Sequence, residues 1–414
     1  MALKNSSFEK GTIKIRLCFF LFFDIFRRSR FKMNILKKTL ALFKKEVMLS
    51  VSLLAAAVSF FITPPSVATL KAVDWKTLAT LFMLLSVLEG FKKENIFLPL
   101  LQKSGKIKSV KNLTLFLVFS VFFTSMFVTN DVSLIIFVPL TIMLFRAGGK
   151  EQYTISVLVL ENIAAVRGSL LTPFGSPQNL FLFSQSKSSA FNFMLHMSPL
   201  WVGSAALLFA FIHILYRKNL KEEISSGDAF EGKWNHESRK LRIIYVLLFI
   251  LVIATIVTRT KLWPVVTGIV FLMLLIFDRK ILIRTDYVLL LTFLCFFVFS
   301  SSIASNPSVA SFLKRNVSNH EYVWSILLSQ VVSNVPASII LWPFTTNLTA
   351  LLYGLDSAGL CSIIGSLASV INLRIYSREN PGHTLEFLKT FEIISLAFFA
   401  LIVVPQYFLS FWTW

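Results

Sequence analysis

Apolar runs of membrane-spanning length recur from residue 47 to residue 411, and that pattern settles the fold class before any motif is considered. A hydrocarbon core of ~30 Å takes about 20 apolar residues per helix. The runs are continuous rather than alternating, which excludes a transmembrane β-barrel. Composition agrees, with 55% hydrophobic and 15% charged residues and a mean hydropathy of +0.72. A soluble domain carries about 25% charged residues, so a soluble enzyme and a disordered scaffold are both excluded. The chain reads as an all-α polytopic membrane protein with about 10–11 spanning helices.

The formal charge of +20 follows topology. Residues 1–47 hold twelve Lys/Arg against Glu9, Asp24 and Glu46, and further basic residues cluster at 217–242. Basic clusters flanking apolar spans obey the positive-inside rule and place the N-terminus in the cytoplasm. No basic stretch interleaved with aromatics lies outside the spans, so nucleic acid is not an expected partner. Cys18, Cys295 and Cys361 have no paired spacing, and the five His residues are scattered, so neither a disulfide framework nor a metal cluster is expected. Met33 opens a second conventional start, which makes residues 1–32 either an interfacial appendage or an over-long start.

Block 112–145 is the most informative. Its 34 residues are too many for one span and too few for two with a loop. Both flanks are basic, and Thr129-Asn130-Asp131 sits at its centre. A re-entrant hairpin with a polar tip satisfies all of this, because non-helical backbone at that depth must be buried in protein or line a cavity. Block 322–353 repeats the design around Ser333-Asn334-Val335-Pro336. The halves then match in order: two spans, a hairpin, a Gly-interrupted span and a closing helix. Val73-Asp74-Trp75 opens one second span and Thr285-Asp286-Tyr287 the other. The expected organisation is a basic cytoplasmic segment 1–46, repeat 1 at 47–216, a cytoplasmic loop 217–241, a linker helix 242–258 and an inverted repeat 2 at 259–414. Inverted repeats with broken helices are the architecture of secondary transporters.

The candidate site residues follow from the breaks. Thr172-Pro173-Phe174-Gly175-Ser176-Pro177-Gln178-Asn179 cannot stay helical, and in the second half Gly354, Gly359 and Gly365-Ser366 supply a softer break. Backbone carbonyls with the Asn130 or Asn334 side-chain oxygens could cage Na⁺, while amides at the start of an outgoing arm favour an anion. The same Asn residues could instead simply cap helices. Ionisable residues inside spans need a partner or a purpose, and those counted are Asp131, Glu161 and Arg167. Asp131 is a cation ligand or a proton carrier. Glu161 and Arg167 form a charge pair across the break, or contact substrate.

At FFTSMFVTNDVSLIIFVPL and GSLLTPFGSPQNLFLF the chain resembles the ion-transporter superfamily. It looks closest to the citrate-transporter-like and arsenical-pump or sodium–proton antiporter-like permeases, distant relatives of the divalent-anion/sodium symporters. The resemblance covers most of residues 40–414. It implies two inverted repeats, each with a re-entrant hairpin and an unwound helix, usually in a homodimer with an elevator motion. It also implies cation- and substrate-binding roles for Thr129, Asn130, Ser333 and Asn334, and for Gly175, Ser176, Pro177 and Asn179. Asp131 and Val335 stand where the symporters carry Thr, so the hydroxyls that would hold carboxylates are missing.

The expected function is a secondary active permease for a small anion, a di- or tricarboxylate or an inorganic oxyanion, coupled to Na⁺ or H⁺ and needing no cofactor. Arsenite efflux, Na⁺/H⁺ exchange and a non-transporting membrane scaffold are the alternatives. No catalytic spacing and no nucleotide-binding loop suggest an enzyme. The expected location is a bacterial inner membrane.

Overall fold

The computed structural model describes residues 47–64, 71, 73–217, 222–225 and 239–411. The basic segment 1–46, with its alternative start, and most of the 217–241 loop lie outside the described residues. Among the described residues there is no β-strand, only one isolated bridge between Ser109 and Glu223.

The first half runs α1 (Val47–Ile62), α2 (Trp75–Lys93), a short α3 (Leu98–Ser104), then α4 (Val110–Val128) and α5 (Asn130–Ala147). It continues through α6 (Thr154–Gly168) and α7 (Pro177–Gln185) to α8 (Ala190–Leu215). Helix α9 (Arg239–Thr258) follows. The second half runs α10 (Trp263–Arg284), α11 (Tyr287–Ser305), α12 (Pro307–Val317), α13 (Glu321–Val332) and α14 (Asn334–Leu341). It closes with α15 (Leu348–Cys361), α16 (Leu367–Glu379) and α17 (Thr384–Leu409). Six of these helices, α4, α5, α8, α9, α11 and α17, are long and apolar enough to cross a membrane.

Local chemistry sets the boundaries. Asp74 and Asp286 cap α2 and α11, accepting from Thr77 N at 3.0 Å and Leu289 N at 2.9 Å. Their dihedrals nearly coincide, at φ −79°, ψ 82° and φ −74°, ψ 81°. Pro177 and Pro307 occupy first helical turns, where a missing N–H leaves nothing unsatisfied.

Packing crosses between the halves. α1 lies along α11 and α10 lies along α2, so among the described residues the first helix of each half packs on the second helix of the other. Ser302 Oγ donates to Ser59 O at 2.8 Å, and Thr63 Oγ1 donates to Ser302 O at 3.0 Å. Within each half the incoming hairpin arm packs on the first part of the broken span, α4 on α6 and α13 on α15.

Two boundaries differ from the sequence expectation. The first hairpin's arms have 19 and 18 residues, each long enough to cross a membrane, because the turn consumes one residue and no loop. The second hairpin ends near Phe344 rather than at 353, since Asn347 caps α15 by accepting from Ala350 N at 3.0 Å.

Candidate functional site

Both hairpins turn on one non-glycine residue in the same conformation. Thr129 has φ 72°, ψ 155° and Ser333 has φ 70°, ψ 160°. That region is nearly reserved for glycine and costs a β-carbon residue about 1–3 kcal/mol. The cost lets two antiparallel arms meet without a loop and leaves Asn130 and Asn334 as the first residues of the outgoing arms.

The first break spans Ser169–Ser176, between α6 and α7. Gly175 belongs there because a β-carbon on it would lie 2.1 Å from Ser169 O. Gly365 closes the second break in the same manner, with its virtual β-carbon 2.0 Å from Ala358 O. Gly354 and Gly359, expected as part of that break, lie inside α15 instead. Their bare faces admit the Tyr322 carbonyl and the Ser366 side chain, so they serve close packing, and the chain unwinds only at Ser362–Ser366.

Tip and break are joined. Asn130 N donates to Gly175 O at 3.2 Å, Asp131 N to Asn130 Oδ1 at 2.9 Å, and Thr172 Oγ1 to Met126 O at 2.5 Å. In the second half Gln330 makes the link, donating to Ala358 O at 3.2 Å and accepting from Ser362 Oγ at 2.6 Å. Helix α7 is held at both ends. Ser176 Oγ accepts from Asn179 N at 3.4 Å at its start. At its far end Asp74 accepts from Gln185 Nε2 at 2.6 Å, and Arg259 donates to the Phe183 and Ser186 carbonyls, both at 2.5 Å.

A cavity of about 550 Å³ opens at the first tip. Thr129, Asp131, Ser176 and Pro177 line it, facing α2, the α10–α11 junction and the start of α16. Four helix N-termini meet here: those of α5, α7, α11 and α16. Their dipoles create a positive potential. Against it stand Asp131, whose Oδ1 has no partner, and Asp286. Glu89 and Lys92 are paired at 2.6 Å on the wall, and Arg284 completes the charged lining. Asn179 is fully buried just behind, with Oδ1 unpartnered. Ser333, Asn334, Gly365 and Ser366 do not line this cavity, although Leu367, next to Ser366, does.

Glu161 and Arg167 do not pair. They lie six positions apart on α6 and diverge: Glu161 Oε1 accepts from Thr141 Oγ1 of α5 at 2.5 Å. Arg167 is fully buried, donating to Ser204 Oγ at 2.8 Å and to the Asp356 carbonyl at 3.3 Å. Gln406 accepts at 3.2 Å when its amide oxygen faces the guanidinium. The opposite charge near Arg167 is Asp356, whose Oδ1 accepts from Gln178 Nε2 at 3.1 Å. Sequence reading passed over Asp356. It was one more ionisable residue within an apolar stretch, and the same criterion that selected Asp131 would have found it.

Hairpins with polar tips, helices broken at buried glycines and a charged cavity at their meeting point define a multi-pass membrane transporter. The chain belongs to the citrate transporter family, whose profile matches residues 35–365. It is 30% identical over 308 residues to an uncharacterized transporter of Methanocaldococcus jannaschii, covering 73% of this chain and 81% of that protein. It is also 29% identical over 330 residues to the inner membrane protein YbiR of Escherichia coli K12, covering 78% and 86% respectively. The family resemblance read from the two segments around Asn130 and Gly175 agrees with these matches.

Proposed function

We propose that this chain is a secondary active permease for a small anion, coupled to Na⁺ or H⁺. In this reading it is built as two inverted repeats and acts as a homodimer in a bacterial inner membrane, with its N-terminus in the cytoplasm. The observation that carries the reading is the cavity itself. Four helix N-termini favour a bound negative charge. Asp131, with an unpartnered oxygen on the same wall, needs a cation or a proton when that charge arrives. Anion and coupling ion would thus neutralise each other in one place. The crosswise packing of α1 on α11 and α10 on α2 supports the repeat. The family's name makes citrate the first substrate to try.

A second reading rests on the two carboxylates Asp131 and Asp286 lining one cavity. They suit exchange of Na⁺ for H⁺, with Asp131 as the proton carrier and no anion.

Thermal unfolding of the purified protein separates the readings, because a ligand bound only by the folded state raises apparent stability. The expected result is a rise with Na⁺ or lower pH that citrate, succinate, phosphate or arsenite enlarges, the anion's enlargement being lost in Asp131→Asn. A response to Na⁺ and pH that no anion enlarges moves the assignment to exchange. No response to any cation, proton or anion removes both.

A further inference from the structure

Helices α5, α6 and α16 pack against one another in all three pairings, and the junction they enclose is polar. Thr141 of α5, Glu161 and Asn162 of α6, and Ser369 and Asn372 of α16 are all 0% exposed. The hydrogen bonds among them use the donors. Thr141 Oγ1 donates to Glu161 Oε1 at 2.5 Å, and Asn162 Nδ2 donates to Ser369 Oγ at 3.0 Å. Ser369 Oγ donates onward to Gly359 O at 3.3 Å. Asn372 Nδ2 donates to Leu158 O at 2.8 Å, which brings its amide to the turn of α6 that carries Glu161 and Asn162. Left over are three buried oxygens with no partner: Glu161 Oε2, Asn162 Oδ1 and Asn372 Oδ1.

A buried carboxylate without a counter-charge costs several kcal/mol. Among the described residues no Lys, Arg or His forms an ion pair with Glu161, and Arg167 is engaged by Ser204 and Asp356. A proton on Glu161 would answer one of the three oxygens and leave both amides unsatisfied. A small hard cation seated among the three helices would answer all three, since carboxylate and amide oxygens are the ligands such ions take. One carboxylate balances one positive charge, which selects a monovalent ion over a divalent one.

We propose that Glu161, Asn162 and Asn372 supply three oxygen ligands of a Na⁺ site at this three-helix junction. None of the three lines the 550 Å³ cavity, so the site is separate from Asp131. Its ligands come from both halves of the chain, α6 from the first and α16 from the second, so an ion bound there holds the two broken spans together. The inference does not rest on the reading of Asp131, and Asp131→Asn serves as the background that keeps the two apart.

The test is a salt titration of thermal stability on the full-length detergent-purified protein, with NaCl, LiCl and KCl each compared against choline chloride at constant ionic strength. In Asp131→Asn, Na⁺ should still stabilise. Adding Glu161→Gln or Asn372→Ala should raise the half-maximal Na⁺ concentration by about tenfold or more. If Glu161→Gln fails to fold, Asn372→Ala and Thr141→Val carry the measurement. Absence of any Na⁺ response in Asp131→Asn, or a response unchanged by Glu161→Gln and Asn372→Ala, overturns the site. So does a Glu161→Gln protein that has lost only its pH dependence while Asn372→Ala titrates with Na⁺ like its parent, because Glu161 would then hold a proton.

Discussion

Replacing Thr129 by alanine and by glycine gives a direct measure of what the hairpin tip costs. In most positions glycine is the worse choice, because the unfolded chain gains freedom worth about 0.5–1 kcal/mol. At φ 72°, ψ 155° the balance changes sign. A residue with a β-carbon bears roughly 1–3 kcal/mol of backbone strain there, and glycine bears almost none. Subtracting the entropic penalty leaves glycine ahead of alanine by about 1 kcal/mol. Both variants lose the Thr129 side chain beyond the β-carbon, so its contacts cancel in the comparison. Ser333, at φ 70°, ψ 160°, should behave alike. Ser125, inside α4, is the control and should favour alanine by the ordinary margin. Reversible unfolding by denaturant in mixed micelles reads all six proteins. Alanine equal to or better than glycine at both tips, matching Ser125, would show that the tips store no strain.

Gly175→Ala and Gly365→Ala each press a β-carbon against a backbone carbonyl, so each should destabilise by about 1–3 kcal/mol or more. Gly203→Ala and Gly268→Ala meet nothing within 4 Å inside helices and should stabilise by up to ~1 kcal/mol; thermal melts of the four rank them. Arg167→Ala leaves Asp356 buried without its counter-charge and should cost about 3–5 kcal/mol, while Arg167→Met with Asp356→Asn should recover much of the loss. A double-mutant cycle on unfolding free energies checks this, and additive losses would remove the pairing.

Much of the site was legible because breaks in hydrophobic helices announce themselves. Thr129-Asn130-Asp131 and Ser333-Asn334 stood as polar islands in apolar blocks, and Pro173, Gly175 and Pro177 could not continue a helix. Gly354 and Gly359 misled because a glycine in a helix signals either an unwound backbone or a close neighbour. Only the Tyr322 carbonyl and the Ser366 side chain decide between them. The partners of Glu161 and Arg167 were hidden for a related reason. Spacing along α6 states which residues share a face, whereas Thr141, Ser204 and Asp356 come from three other helices. The first block read as too short for two full-length arms because a loop was assumed where a strained single residue suffices.

The exchange of first helices between the halves also sets a timetable for synthesis. Ser59 and Ser302, which bond α1 to α11, are 243 residues apart. At about 5–20 residues per second, α1 waits roughly 12–50 s after its own emergence before that partner exists. During that interval α1 must rest against lipid, the insertion machinery or a temporary neighbour, with Ser52 and Ser59 bonded only to their own helix through the Leu49 and Ala56 carbonyls. The chain therefore cannot mature half by half: α1 is in place long before the surface that completes it has been made.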